Sequence, residues 1–465
     1  METGPYLPPQ LSPPRPRWFL WSCAVGGLAL QSATLSGCGG SSHPSTSTTT
    51  STTTTTTSTD SSAPRNCKRP TGNTCEECEA GFDLQHGECW YSCQSDLPGI
   101  KVVSPSLKGL CLDDTTFSDC PDRVPHLWPN SKEPLGSVRL FAAWKREWPA
   151  EHRGRAWQVL VDQVKSHQMK VMVGTQVTCN ETDDDQDWEL VLEFLKLLGS
   201  DNIMTVAIGN EMDLYFMKAN VTAECTASLW SGGYYWRKTV ERISDLDALG
   251  GSFATLPVTT VFSGFSLGGE PFYETPQAMC LSYLKNATAL YQSRWTFTLN
   301  VYPYLDPGDN MDPGGTTCNG AIARCTCFDQ GSCLAIGIIS AMRTKMKALT
   351  GSKEDKLIIG EIGWSTPTAT TLSTPVKDCD AFSSPESFKK SYFNFLSWDL
   401  SLPMLDEDGE TVSPPDHVFY FTMRDSVNFG DKEYFGLVPQ CSDTKCKLQG
   451  SSVLATNGAK AVVVV

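Results

Sequence analysis

The stretch LIIGEIGWST, residues 357–366, begins as a buried strand and changes character at its fifth residue. Leu357, Ile358, Ile359 and Gly360 lead directly into Glu361, and Ile362, Gly363 and Trp364 follow. A carboxylate at the mouth of an apolar run is costly to desolvate unless a partner or a reaction uses it. IMTVAIGNEMD, residues 203–213, repeats the pattern: an apolar run, Gly209, Asn210, and Glu211 at the lip.

Six further apolar runs share this texture. They are KGLCL (108–112), SVRLFA (137–142), KVMVGTQV (170–177), LPVTTVF (256–262), WTFTLNVY (295–302) and HVFYF (417–421). Between them lie stretches of helical period, such as Trp157, Leu160, Val161 and Val164, or Trp188, Val191, Leu192, Leu195 and Leu198. ESFKKSYFNFLSWDL (386–400) is another. These aromatic and aliphatic stripes are read as core. Continuous apolar strands separated by helices specify a parallel sheet covered on both faces. Eight repeats predict an α/β fold closed as a (β/α)8 TIM barrel over residues 100–446. No glycine-rich phosphate loop follows any run, which disfavours a dinucleotide-binding sheet.

Barrels of this kind carry their chemistry at the C-terminal ends of the strands. Glu211 closes the fourth run and Glu361 the seventh, so both are expected on one rim. Two such carboxylates can face one glycosidic bond, one donating a proton and the other attacking, and a separation of about 5–5.5 Å gives retention of configuration.

The rest of the chain bounds the setting. With 465 residues and a formal charge of −15, it has no basic stripe for nucleic acid. Arg15 and Arg17 precede the short apolar run WFLWSCAVGGLAL (18–30), which resembles a secretory signal. A signal anchor and a lipoprotein box ending at Cys38 are the rival readings of residues 1–38, and membrane attachment is expected only through this segment. Residues 39–65 are dominated by Ser and Thr and form a linker, an extended stalk open to O-glycosylation. Nineteen cysteines, and sequons at Asn180, Asn220 and Asn286, fit a disulfide-bonded glycoprotein that is secreted or held at the cell surface or wall.

Cys67, Cys75, Cys78, Cys89 and Cys93 fall within residues 66–95, a small module similar to EGF-like or furin-like cysteine-rich repeats. Disulfides are expected there, with a zinc knuckle as the alternative. Cys318, Cys325, Cys327 and Cys333 form an insertion after the sixth run that could wall a cleft, and Cys441 and Cys446 are close enough to bridge each other. The acidic run at 183–185 reads as a helix N-terminal cluster. No motif calls for a metal or a cofactor, and residues 447–465 are read as a tail.

Three motifs in order make the reading specific: IGNE at the fourth strand, NVYPY (300–304) at the sixth and GEIGWST at the seventh. Together they resemble glycoside hydrolase family 17, the β-1,3-glucanases and related glucanosyltransferases of clan A. VFYFTMRDSVNFGDKEYFGLV (418–438) resembles that family's last strand and closing F-G-L-F. The resemblance spans roughly residues 105–440. It implies a retaining, double-displacement hydrolase of internal β-1,3 linkages in a β-glucan, with Glu211 as general acid/base and Glu361 as nucleophile. Asn210 would bond the 2-hydroxyl of the attacked sugar, and Arg139 would set a cation beside the nucleophile. Asn300, Tyr302, Tyr304 and Trp364 would complete the substrate-contacting set, the aromatics offering faces to sugar rings.

Departures fall in the surrounding shell. Phe141 replaces a Tyr, Leu305 stands where a Phe is usual, and Ser365-Thr366 stands for Pro-Ser. An acidic motif ending in Lys is reduced to Arg424 and Asp425 without an obvious lysine. A glucanosyltransferase of the same family and a non-catalytic glucan-binding surface protein are the alternatives.

Overall fold

The computed structural model describes residues 64–91 (except 86), 100–305 (except 219–220, 265 and 267–276), 317–366 (except 330) and 376–448 (except 377–378, 407, 427–432 and 444–445). The signal, nearly all of the Ser/Thr linker, the Asn220 sequon, Cys93 and most of the tail lie outside the described residues.

Two short antiparallel hairpins open the described chain, β1 (Cys67–Thr71) with β2 (Thr74–Cys78) and β3 (Phe82–Gln85) with β4 (Glu88–Tyr91). Disulfide Cys67–Cys75 joins β1 to β2 and Cys78–Cys89 joins β2 to β4, so these sulfurs are not available to a zinc ion.

Eight parallel strands then close into a barrel in chain order: β5 (Lys108–Leu112), β6 (Ser137–Leu140), β7 (Lys170–Thr175), β8 (Ile203–Asn210), β9 (Val258–Ser263), β10 (Phe297–Asn300), β11 (Leu357–Gly363) and, after a small hairpin of β12 (Met404–Leu405) and β13 (Thr411–Val412), β14 (His417–Phe421). Every residue of β5, β6, β9, β10, β11 and β14 is buried. That explains the unbroken apolar runs: one face fills the barrel and the other meets helices. The eight runs read from the sequence are the eight strands, with ends that differ by up to three residues.

Helices α1 (Asp114–Asp119), α2 (Ala150–Ser166), α3 (Glu181–Leu198), α4 (Ala223–Leu229), α5 (Tyr234–Leu249), α6 (Gln277–Tyr291), α7 (Cys318–Thr326), α8 (Leu334–Thr350) and α9 (Pro385–Ser397) connect them. Their starts follow from sequence. Asn180 caps α3 by accepting from the Asp183 amide, and Glu181, Asp183 and Asp184 occupy its first turn. Ser384 caps α9, with Pro385 at the first position.

Helix α1 has only six residues, and the cysteine module packs on the segment that follows it. Phe82 and Tyr91 join the main core there. The Arg123 guanidinium lies 5.5 Å from the Phe82 ring, and that of Arg424 lies 4.8 Å from the Tyr91 ring. The module is thus part of the packing and not a free appendage.

The cysteine insertion after β10 forms α7, which lies on the outer layer against α8 and α9. Cys318 bonds Cys379, beyond β11, and Cys327 bonds Cys333. Its described part braces the flank, and residues 306–316 lie outside the described residues. The expected Cys441–Cys446 bridge is not formed, because Cys441 bonds Cys120, 321 residues away. The barrel packing also runs past the predicted boundary at 446, since Lys447 is nearly buried and Leu448 fully so. Among the described residues no helix is long and apolar enough to cross a membrane.

One buried cation ties the foot of the barrel together. Lys108 Nζ donates to the carbonyls of Val103, Leu396 and Trp398 at 2.6, 2.9 and 2.6 Å. Lys108→Met leaves three carbonyls without that donor. It should lower unfolding free energy by about 1–3 kcal/mol in chemical denaturation while leaving the opposite rim unchanged.

Candidate active site

Glu211 and Glu361 meet at the C-terminal mouth of the barrel, and local irregularities aim both. Pairing of β10 with β11 runs Leu299 to Ile359 and then Asn300 to Glu361, so Gly360 is an extra residue, a bulge. Pairing of β8 with β9 skips similarly between Ala207 and Asn210. A bulge re-aims the side chain that follows it.

The glycines in front of the two glutamates are there for space. A Cβ on Gly360 would lie 2.8 Å from both Arg139 Nη1 and Asn300 Oδ1. Gly209 has φ +78, and a Cβ there would lie 2.7 Å from the Tyr235 hydroxyl. Glu211 itself sits in the left-handed region at φ 49, which costs a non-glycine residue about 1–2 kcal/mol.

The two carboxylates share one donor. Asn300 Nδ2 donates to Glu211 Oε1 at 2.9 Å and to Glu361 Oε1 at 2.7 Å. The two Oε1 atoms are therefore at most about 5.6 Å apart, the sum of those lengths, a spacing compatible with a retaining pair at about 5–5.5 Å.

Beyond that bridge the two environments differ. Glu361 also accepts from Arg139 Nη1 at 3.0 Å and from the Tyr302 hydroxyl. Glu361 therefore accepts from three donors. Glu211 has only Asn300 among the described residues. Burial, then the nearby Glu361 charge, pushes its pKa up to about 8, with Asn300 pulling the other way. One carboxyl is held as an acid beside a second that is ringed by donors, a difference of environment that acid–nucleophile chemistry can use.

Arg139, on β6, is the hub. Besides Glu361 it donates from Nη2 to Asn210 Oδ1 at 2.7 Å and from Nη1 to Asn300 Oδ1 at 3.3 Å. Its guanidinium lies 4.4 Å from the Phe141 ring. With its oxygen held this way, Asn210 has its amide hydrogens left for a ligand.

Four expected substrate contacts take other places. Asn300 is 3 % exposed, and its amide is used up on Arg139 and the two glutamates. Tyr302 is a hydroxyl donor to Glu361, its ring edge-on to Phe421 and Phe435. Burial and the two glutamates push its phenol pKa well up, keeping it a neutral donor. Tyr304 is 5 % exposed, hydrogen-bonds Ser383 and stacks on Phe382. Trp364 is 1 % exposed and donates its indole N–H to the Phe382 carbonyl. Tyr304 and Trp364 are rim packing, because the loop beyond β11 folds Phe382 over them.

Sequence reasoning missed three features. Asp213, two residues after Glu211, is buried and accepts from the Ser263 amide and from the Ser263 and Ser266 hydroxyls. It pins the turn after Glu211 to the end of β9, and its place in an apolar turn was the available signal. Lys447 forms a nearly buried ion pair with Asp425, 2.5 Å from its Oδ1. Cys111 is a buried thiol under the site, its Sγ 3.4 Å from the Gly360 carbonyl, and burial raises its pKa well above the usual thiol range. The two groups of metal-ligating residue types among the described residues, Cys67–Cys75–Cys89 and Cys327–Asp329–Cys333, have their sulfurs in disulfides.

The raised Glu211 pKa has a stability signature. The folded state binds this proton more tightly than an ordinary carboxyl near 4.5, so the contribution is full below that pH and lost as pH rises through about 8. Glu211→Gln should therefore gain thermal stability relative to the native chain between pH 5 and pH 9, read as a growing difference in melting temperature.

No family model matches this chain, and no curated protein matches it. Solved structures with a similar fold include CJP38, a β-1,3-glucanase and allergen of Cryptomeria japonica pollen, at 15% identity, TM-score 0.44, covering 77% of this chain and 98% of that one. A GH5-4 broad specificity endoglucanase from an uncultured bacterium aligns at 13% identity and TM-score 0.40 over 72% of this chain and 92% of that one. A family 1 β-glucosidase from Thermotoga maritima aligns at 10% identity and TM-score 0.41 over 75% and 96%. These likenesses concern the barrel alone.

Proposed function

We propose that the protein is a retaining glycoside hydrolase that cleaves internal β-1,3 linkages of a glucan, outside the cell or at its surface. The observation that carries the reaction class is the single Asn300 nitrogen bonded to both glutamates, which supports a pair close enough for the retaining mechanism. The linkage is inferred from the three ordered motifs around Asn210, Asn300 and Glu361. The extracellular setting is supported by six disulfides between described residues.

In the first step Glu361 attacks the anomeric carbon, the glycosidic C–O bond breaks, and Glu211 passes its proton to the leaving oxygen. The product is a glycosyl ester on Glu361 and an ionised Glu211. In the second step water attacks the same carbon, Glu211 takes a proton from it, and Glu361 is released as a carboxylate. Arg139 and Tyr302 hold Glu361 in line, and Asn210 is the side chain set to bond the 2-hydroxyl, a contact that strengthens in the transition state.

The test is hydrolysis of laminarin against β-1,4-linked oligosaccharides, with the first product's anomer followed by NMR. The β anomer should appear first, from the 1,3-linked substrate. Glu211→Ala should lose about 10²–10⁴-fold in rate, the usual range for a general acid, and Glu361→Ala at least as much. Initial α-anomeric product would overturn the retaining mechanism, and full activity in Glu361→Ala would overturn the site.

A further inference from the structure

We propose that Asn300 is a positioning residue whose two amide hydrogens serve both glutamates at once, so that the pair's single negative charge can pass from Glu361 to Glu211 and back during turnover. This deepens the retaining reading above and rests on it.

The geometry fixes what the amide can do. Its oxygen faces the Arg139 guanidinium at 3.3 Å, which only an acceptor can do. Its nitrogen must then point at the carboxylates, one hydrogen to each, at 2.9 and 2.7 Å. Gly360 keeps the space that this orientation needs, since a Cβ there would press on Asn300 Oδ1 at 2.8 Å. The side chain is buried at the end of β10, its backbone paired with Glu361 on one side and Ser263 on the other.

The chemistry needs such a bridge. Before the first step the negative charge sits on Glu361 and the proton on Glu211. After it, the proton has left with the departing alcohol, Glu361 is a neutral ester, and the charge sits on Glu211. Of the two glutamates, Arg139 and Tyr302 donate to Glu361 and not to Glu211. Among the described residues, Asn300 alone donates to the Glu211 carboxylate. Without it the ionised Glu211 of the covalent intermediate has no hydrogen bond from a described residue, in a buried site beside Asp213. The second step, in which Glu211 must be a base, should suffer more than the first.

Stopped-flow measurement on the full chain with a 2,4-dinitrophenyl β-laminaribioside tests this. The activated leaving group needs no acid, so the first step stays fast. Asn300→Ser and the isosteric Asn300→Asp should both show a burst of about one dinitrophenolate per site, followed by turnover slowed about 10- to 100-fold, with KM falling in parallel as the intermediate accumulates. The basic limb of kcat/KM on laminarin oligosaccharides should move to higher pH, because the lost hydrogen bond favoured the ionised Glu211. A lower kcat with KM unchanged, no burst and an unmoved basic limb would overturn the proposal and leave Asn300 a packing residue. A wild-type chain that turns over neither substrate would overturn the retaining reading itself, and this proposal with it.

Discussion

The site depends on one buried cation. Arg139 is almost fully enclosed within the barrel, and a guanidinium in that position is untenable unless its donors are met. Glu361, Asn300 and Asn210 each supply an oxygen, and the Phe141 ring lies against the guanidinium. In satisfying Arg139, these side chains lose most of their freedom. Glu361 is held by one oxygen, and the amides of Asn210 and Asn300 are oriented oxygen-inward, which turns their nitrogens toward the ligand and toward the two carboxylates. Preorganisation of this kind means that little rearrangement is needed when charge moves.

The rim around the hub is braced rather than loose. Asp184 accepts from Thr178 and Tyr234, and Asp187 accepts from Thr175, Gln176 and Trp144, while Arg242 bonds Thr175 and the carbonyls of Gln176 and Asp184. Disulfide Cys179–Cys225 joins the loop after β7 to helix α4 beside this network. On the far side, the Asp425–Lys447 pair and the Cys120–Cys441 bridge hold the segment that places Phe435 against Tyr302. Tyr302 in turn donates to Glu361, so packing from the end of the chain reaches that carboxylate through one aromatic contact.

Much of this was legible before any coordinates. Eight apolar runs gave the barrel because both faces of each strand are buried, and a glycine and then an acid at two strand ends gave the carboxylate pair. The role of Arg139 was legible from its position near the end of the second strand. The hydrogen-bonding roles of Asn300 and Tyr302 were not, because a motif places a residue without saying which atom it offers to whom. Tyr304 and Trp364 read as open platforms because sequence cannot show that Phe382, from a loop well downstream, covers them. Lys447 escaped because its partner lies 22 residues earlier and the two meet only through the fold. The Cys120–Cys441 bridge escaped for the same reason: proximity in sequence favoured Cys446, and closure of the barrel brought Cys120 instead.

The central claim is that Glu361 becomes covalently bonded to a sugar while Glu211 does not. The most direct test is intact-mass and peptide mass spectrometry after exposure to a 2-deoxy-2-fluoro β-laminaribiosyl fluoride, whose fluorine slows the second step and traps the ester. The account predicts one glycosyl unit per chain, on the peptide containing LIIGEIGWST and lost in Glu361→Gln. An adduct on the peptide containing Glu211, or an unmodified chain that still hydrolyses laminarin with inversion, would contradict it.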